Sequence, residues 1–326
     1  MFLLALFLNC VLRKMNRLLL LSNLCLLAFG APLGNAVETV SLAPAVSYVH
    51  RTIAIGDIHS DYKNALGVLQ MAGVVNSNGD WIMGTNTLVQ TGDIVDRGPD
   101  TIVLYKYFQK LRTQAAQAGG QVVNIFGNHE IMNLKGDWRY VTKEEIATFG
   151  GKDARKAAWN VSSGWIGQFL QSSFNITFVQ RGHTVFTHGD LHPTWASKGI
   201  ASMNTLVHSN IAAAKYDDLL FKTQGPVWWR GFGGLEDGDN EITIDEACAM
   251  VKQVMNTLKV KRLVSGHTQQ SSTGRILSRC NNSYLDIDVG ISGYYGSHFG
   301  ALEILDIDDQ TQTVTAIYPS GRVTIQ

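Results

Sequence analysis

The chain has 326 residues, 45% of them hydrophobic and 17% charged, with 27 basic against 27 acidic residues and a formal net charge of zero. That composition supports a sizeable core, and the length allows one or two domains. The balance of charge argues against a nucleic-acid partner, or an anionic surface, recruited by bulk charge.

The first 36 residues are apolar, interrupted by Arg13, Lys14 and Arg17, and contain no acidic residue. From Met15 they read as a basic start, an apolar stretch Leu18 to Phe29, and small residues ending at Ala36, the layout of a secretory signal peptide. The apolar stretch falls short of the roughly 20 residues that span a bilayer. Residues 1–36 are therefore expected to meet the membrane only transiently and to be cleaved. The protein is then expected in the secretory pathway: secreted, in the endoplasmic reticulum or in a vacuole. An uncleaved anchor or an organelle-targeting segment is the alternative. Cys10 and Cys25 fall in this segment. Cys248 and Cys280 remain, and fit either one disulfide or two unpaired thiols. The sequons at Asn160, Asn175 and Asn281 make the mature chain a candidate glycoprotein.

Residues 45–326 read as one catalytic domain. Short apolar runs, predicted strands, lie at Thr52 to Ile55, Thr87 to Gln90, Val122 to Phe126, Thr184 to Thr187 and Arg262 to Val264. Helical patterns separate the first of them, at Asp61 to Met71 and Pro99 to Ala118. This alternation predicts α/β layers around a central sheet. Two more helical patterns, Ala154 to Gln171 and Ser197 to Phe221, predict a helical insertion over about residues 144–222 that suits a cap at the sheet edge. The stretch "EDGDNEITIDEACA" lacks the central Gly and final Glu of a calcium loop and reads as an exposed acidic loop. Arg275 to Val323 reads as hairpins.

Each predicted strand ends in polar residues: "GDIHS", "TGDIVDRG", "GNHE", "THGD" and "SGHT". Ligands of open α/β sheets sit beyond such ends, so residues far apart in sequence converge there. They are Asp57, His59, Asp93, Asn128, His188 and His267. Carboxylate, amide and imidazole without thiolate suit Mn, Fe or Zn. Six side chains exceed the needs of one catalytic ion and suit two, with Asp93 as the bridge. Asp57 and His59 then serve one ion, and Asn128, His188 and His267 the other. Two ions about 3.5–4 Å apart clamp a phosphate and activate a bridging water.

Arg97, four positions after Asp93, has a fork suited to two phosphate oxygens. Arg230, in "PVWWRGF", is either a second clamp or a cation stacked on its tryptophan neighbours. His129 follows Asn128 directly, which places it to protonate a leaving alkoxide. Asp96 is placed to orient it, as a carboxylate orients a catalytic imidazole. Glu130 is assigned no metal, only a role in steadying its loop.

The motifs "GDIHS", "GDIVDRG", "GNHE", "THG" and "GHT" resemble the signature of calcineurin-like metallophosphoesterases, in the phosphoprotein phosphatase branch. "GNHEIMNLKGDWRYVT", "PVWWRG", "VSGHT" and "YLDIDVGIS" resemble the Shewanella-like protein phosphatases, the resemblance covering Thr52 to Ser292. It implies a four-layer α/β/β/α sandwich and two metal ions, Mn or Fe/Zn. It implies the ligands Asp57, His59, Asp93, Asn128, His188 and His267, phosphate contacts from Arg97 and Arg230, and His129 with Asp96 as the acid pair. The implied activity is a metal-dependent phosphomonoesterase, a protein phosphatase in which a metal-bridging hydroxide attacks a phosphoprotein ester. The alternatives are a diadenosine polyphosphate or other small-molecule phosphoesterase and, as a minor reading, a non-catalytic scaffold. The chain departs from the pattern at Ser60, which stands where Gly is usual and is expected to cap the next helix. It departs again at Asp190, a carboxylate expected to lie near the metals.

Overall fold

Side-chain alternation along the strands sets the layers of the fold. In β1 (His50–Ile55), Ile53 and Ile55 face one side and Ala54 the other. Leu88 and Val89 divide in the same way in β2 (Thr87–Gln90), as do Val122 and Val123 in β3 (Gln121–Ile125). Ile53, Leu88 and Val122 join a core with α1 (Tyr62–Met71) and α2 (Thr101–Gln117). Ala54, Val89 and Val123 instead meet Phe186, Val264 and Leu285 of a second sheet. Strands buried on both faces read as continuous apolar runs, which is why the runs were visible in the sequence. The computed structural model describes residues 49–235 and 242–326. The expected leader, with Cys10 and Cys25, and the acidic residues 236–241 lie outside the described residues.

The first sheet has seven strands in the order β12-β11-β10-β1-β2-β3-β4. Its parallel half is β1, β2, β3 and the short β4 (Phe174–Asn175). The predicted hairpins supply β10 (Ala301–Asp306), β11 (Gln312–Tyr318) and β12 (Gly321–Thr324), all antiparallel. The second sheet runs β5-β6-β7-β9-β8. Within it β6 (Thr184–Thr187), β7 (Arg262–Ser265) and β9 (Tyr284–Asp286) are parallel. Its edges, β5 (Thr177–Gln180) and β8 (Leu277–Arg279), are antiparallel. The α/β/β/α arrangement expected from the sequence is the one observed, with two sheets face to face and helices outside.

The helices differ from expectation where local chemistry competes. The pattern from Ala154 to Gln171 splits into α5 (Lys152–Trp159) and α6 (Trp165–Ser173). Between them Asn160 Oδ1 accepts from the amides of Ser162 at 2.9 Å and Ser163 at 3.0 Å, a turn that rivals the helix. The second pattern shrinks to α8 (Ile200–Ala212) and a 3₁₀ turn at Leu219–Phe221. Two further helices, α4 (Lys143–Thr148) and α7 (Pro193–Ala196), are short, and β4, β5 and β6 lie within the stretch expected as a helical insertion. The two short helices lay outside the predicted helical patterns, as did two longer ones. α3 (Asn128–Lys135) starts inside the polar cluster after β3. α9 (Ile244–Leu258) starts inside the supposed acidic loop, where Thr243 and Glu246 form a capping box. The cap of α1 is Asp61, whose Oδ1 accepts from Asn64 N at 2.9 Å. Ser60 is not the cap, because its Oγ is engaged with Thr101 Oγ1 at 2.7 Å.

Cys248 on α9 and Cys280 before β9 form a disulfide, which decides between the two readings of these cysteines. Among the described residues no helix is long and apolar enough to cross a membrane.

Candidate active site

The strand ends come together because glycine lets them touch. A Cβ on Gly92 would sit 2.6 Å from Gly127 N, and one on Gly127 would sit 2.0 Å from Asp93 Oδ1. Only glycine allows the loops after β2 and β3 to approach so closely. Several site residues hold left-handed backbone: His59 (φ 48°), Asp93 (φ 55°), Asp96 (φ 73°), Arg97 (φ 69°) and His267 (φ 67°). Each such residue costs about 1–3 kcal/mol unless its surroundings enforce it. The enforcement here is a set of hydrogen bonds. His59 N donates to Asp93 O at 3.0 Å and Arg97 N to Tyr140 O at 3.1 Å. The buried Glu130 accepts from Asp93 N and Ile94 N, each at 2.9 Å, and from Gly127 N at 2.8 Å. Glu130 therefore steadies its loop, as expected.

All six metal-ligand candidates are buried and gather at one place. Asp57, His59, Asp93, Asn128 and His267 line a pocket of about 310 Å³, and His188 lies behind it. Asp57, Asp93 and Asn128 come from the seven-stranded sheet, His188 and His267 from the five-stranded one. His59 Nδ1 bonds Val95 O at 3.1 Å and His188 Nδ1 bonds Thr91 O at 2.8 Å. Each ring thus turns Nε2 inward: His59 Nε2 lies 3.8 Å from both Asp57 Oδ2 and Asp93 Oδ2. His188 Nε2 lies 2.9 Å from Asn128 Oδ1 and 3.4 Å from Asp93 Oδ2. His267 is reversed, with Nε2 on Trp228 O at 3.1 Å. Fixing one ring nitrogen to a carbonyl is how proteins prepare the other as a ligand. Among the described residues two groups have the spacing for an ion, His59–Asp93–His129 and Asp93–His188–His267. Asp93 belongs to both.

The electrostatics agree with a cation site. Burial pushes the His59 pKa down to about 3 and holds His267 well below the ordinary imidazole value, so both rings are neutral. Burial also works against ionisation of Asp93, but the neighbouring charges of His188 and His129 outweigh it and hold the carboxyl well below its ordinary range. Asp57 moves the other way, through burial and then repulsion from Asp288 and Asp93. Neutral imidazoles and crowded carboxylates are the donor set that metal binding needs, and a divalent ion offsets the repulsion.

Arg97 and Arg230 line the same pocket. Arg97 stacks on Tyr140, its guanidinium carbon 3.8 Å from the ring centre, and Tyr294 flanks it at 4.9 Å. Arg230 Nη2 lies 3.4 Å from both His267 Nδ1 and His267 O, which sets the guanidinium beside a ligand candidate. His129 also lines the pocket, and its Nδ1 is 2.6 Å from Asp96 Oδ2. Burial disfavours the charged ring, but the Asp93 charge and the Asp96 hydrogen bond outweigh it, so the His129 pKa lies above the ordinary value.

Asp190, expected to lie near the metals, is fully engaged by its own neighbours. Its Oδ2 accepts from Phe232 N at 2.6 Å and Gly233 N at 3.0 Å. Its Oδ1 accepts from Tyr284 Oη at 2.6 Å and Ser265 Oγ at 2.9 Å. Asp190 thus anchors the loop that carries Arg230. Sequence reasoning missed five pocket residues, Asp288, Tyr140, Trp228, Tyr295 and Gln269. Asp288 follows β9 as Asp57 follows β1, so the strand-end signal was present in "YLDIDVG" but was read as part of a hairpin.

Residues 50–271 match the model of the calcineurin-like phosphoesterase family. An uncharacterised Schizosaccharomyces pombe protein is 39% identical over 86% of this chain and 83% of its own length. Shewanella-like protein phosphatase 2 of Arabidopsis thaliana is 28% identical over 82% of this chain and 78% of its own. Among solved structures, a cold-active protein-tyrosine phosphatase from a psychrophilic Shewanella species superposes with a TM-score of 0.69 at 26% identity, covering 85% of this chain and 80% of that one. The converging strand ends therefore form a metal-dependent hydrolase site, and the chain belongs to the calcineurin-like phosphoesterases.

Proposed function

We propose that the protein is a phosphomonoesterase using two metal ions, Mn or Fe/Zn, and that its substrates are phosphoproteins. The observation that carries this reading is one pocket lined by five buried ligand candidates, two arginines and a paired imidazole, with His188 behind it. Asp57, His59, Asp93, Asn128, His188 and His267 would hold the ions, with Asp93 shared. When bound, the ions supply an activated water and clamp phosphate oxygens. Arg97 and Arg230 bind the remaining oxygens through charge-assisted hydrogen bonds. Asp96 fixes His129 Nδ1, so Nε2 is the nitrogen free to give a proton to the leaving oxygen. Against the effect of burial, the Asp93 charge and this hydrogen bond raise the ring's pKa above the ordinary imidazole value, which suits the acid role.

The rim of the pocket supports a finer reading. Tyr140, Tyr295 and Trp228 line it, and aromatic faces suit the ring of a phosphotyrosyl side chain. The Shewanella structure is that of a protein-tyrosine phosphatase, in keeping with such a substrate. Phosphate release by the metal-loaded protein from matched phosphotyrosyl, phosphoseryl and phosphothreonyl peptides tests this, with diadenosine tetraphosphate as competitor. Faster turnover of the dinucleotide than of every peptide would replace the reading with the small-molecule one. The Cys248–Cys280 disulfide supports passage through an oxidising compartment. N-terminal sequencing of the native protein tests the secretory reading, which requires a start near Ala36.

A further inference from the structure

The helical insertion reaches the active site through one continuous chain of buried hydrogen bonds. It starts at Arg155 on α5, which like its partner Glu145 on α4 is fully buried. Arg155 Nε and Nη2 lie 3.0 and 2.8 Å from Glu145 Oε1. Arg155 Nη2 also donates to Asn133 Oδ1 at 2.7 Å. Asn133 Nδ2 then donates to both oxygens of Asp96, each at 3.0 Å, and to His129 O at 2.9 Å. Asp96 in turn holds His129 Nδ1.

The chemistry of these groups permits one arrangement. A guanidinium has only donors and an ionised carboxylate only acceptors. An amide between them must turn its oxygen to the arginine and its nitrogen to the aspartate. Arg155 therefore holds the oxygen end of Asn133, while Asp96 and His129 O hold its nitrogen end, and together they decide which way the amide faces. A reversed Asn133 would set its oxygen against the Asp96 carboxylate and repel the group that orients His129. Glu145 pairs the arginine's charge, so the guanidinium supplies direction without adding a net charge near the site. Trp138, Phe149 and Trp159 surround the guanidinium at 4.8, 5.6 and 5.2 Å from their ring centres, which leaves it little freedom to rotate. Arg155 does not line the substrate pocket, so any effect on chemistry passes through Asn133 and Asp96.

We propose that Arg155 is a positioning residue for the proton donor His129, acting through Asn133 and Asp96. The proposal rests on the acid reading of His129. The competing account is a buried ion pair that serves folding alone. The two differ in how rate depends on the leaving group. A p-nitrophenolate leaves with little help, whereas a benzyl alkoxide needs a proton, so loss of the acid falls on the second ester.

The test compares p-nitrophenyl phosphate with benzyl phosphate on the full, metal-loaded protein. The variants are Arg155→Met, Arg155→Lys, His129→Asn and the double change Arg155→Met with Glu145→Leu. The double change removes both charges at once and so remains informative where the single change does not fold. For Arg155→Met and for the double variant, kcat on benzyl phosphate should fall about tenfold or more. On p-nitrophenyl phosphate it should fall less than about threefold, with KM nearly constant on both esters. Arg155→Lys should recover part of the loss. His129→Asn should show the same split more strongly, and adding Arg155→Met to it should cost nothing further. If His129→Asn slows both esters equally, the acid reading falls and this proposal with it. If His129→Asn splits the esters but the double variant does not, the acid reading stands and Arg155 serves folding only.

Discussion

Glu130 Oε2 accepts the amide of Asp93 at 2.9 Å and that of Gly127 at 2.8 Å, so a single carboxylate joins the ends of β2 and β3. Its other oxygen accepts from Ile94 N at 2.9 Å and Tyr105 Oη at 3.2 Å. A glutamine offers only one acceptor oxygen and brings donors that face amides. Glu130→Gln is expected to cost about 2–4 kcal/mol, since buried amides lose their partners, and to lower metal content. Denaturant unfolding and elemental analysis of the purified variant check both. An unchanged metal content would show that the loop keeps its shape without this anchor.

Asp190 holds the loop after Trp229 through the amides of Phe232 and Gly233. Asp190→Leu should raise KM for a phosphate ester about tenfold by releasing Arg230, with the metal complement kept. Kinetics with p-nitrophenyl phosphate and metal analysis separate these effects. Loss of metal at constant KM would return Asp190 to the neighbourhood of the ions.

The Cys248–Cys280 bridge closes a loop across a sequence separation of 32. Replacing both cysteines by serine should lower stability by about 3–4 kcal/mol from loop-closure entropy. Because the loop ends just before β9, which leads to Asp288, activity should decline at lower temperature in the variant than in the parent. Paired unfolding curves and activity-temperature profiles provide the check.

Glu303 on β10 is buried and accepts from Arg51 Nε at 2.7 Å and from Arg322. Burial alone would raise its pKa, but the bonds from Arg322 and Arg51 outweigh it and hold the carboxyl below its ordinary value. A lowered folded pKa gives stability that is complete above the unfolded carboxyl value and lost as pH falls through the folded one. Glu303→Gln should therefore cost about 1–2 kcal/mol at neutral pH, discounted because Arg322 is half exposed. The difference from the parent should close below about pH 4. Unfolding free energies of both proteins across that range settle the sign.

The sequence showed most plainly what depends on short stretches of chain. Asp57, Asp93, Asn128, His188 and His267 were legible because each ends a buried apolar run, and parallel strands carry such ends to one edge. Asp288 obeys the same rule but was hidden in a stretch read as antiparallel. The break at Asn160 was hidden because one side chain there competes with the helix. Asn133 and Arg155 carried no local signal at all. They are 22 positions apart, and their partnership exists only once α3 and α5 have packed. The anchoring role of Asp190 was hidden for a related reason: its partners Phe232 and Gly233 lie 42 and 43 positions away.

The candidate ion site straddles the two sheets, and this bears on how the protein unfolds. Apolar side chains such as Ala54, Val89, Phe186 and Val264 pack the sheets together in the middle layer, and polar contacts such as Arg262 to Gln312 add to them at the margin. At the edge, ions held jointly by Asp57, Asp93, His188 and His267 would rivet one sheet to the other. Metal loading should then slow hydrogen exchange in β2 and β7 together, although they belong to different sheets, and chelation should let the two sheets open separately.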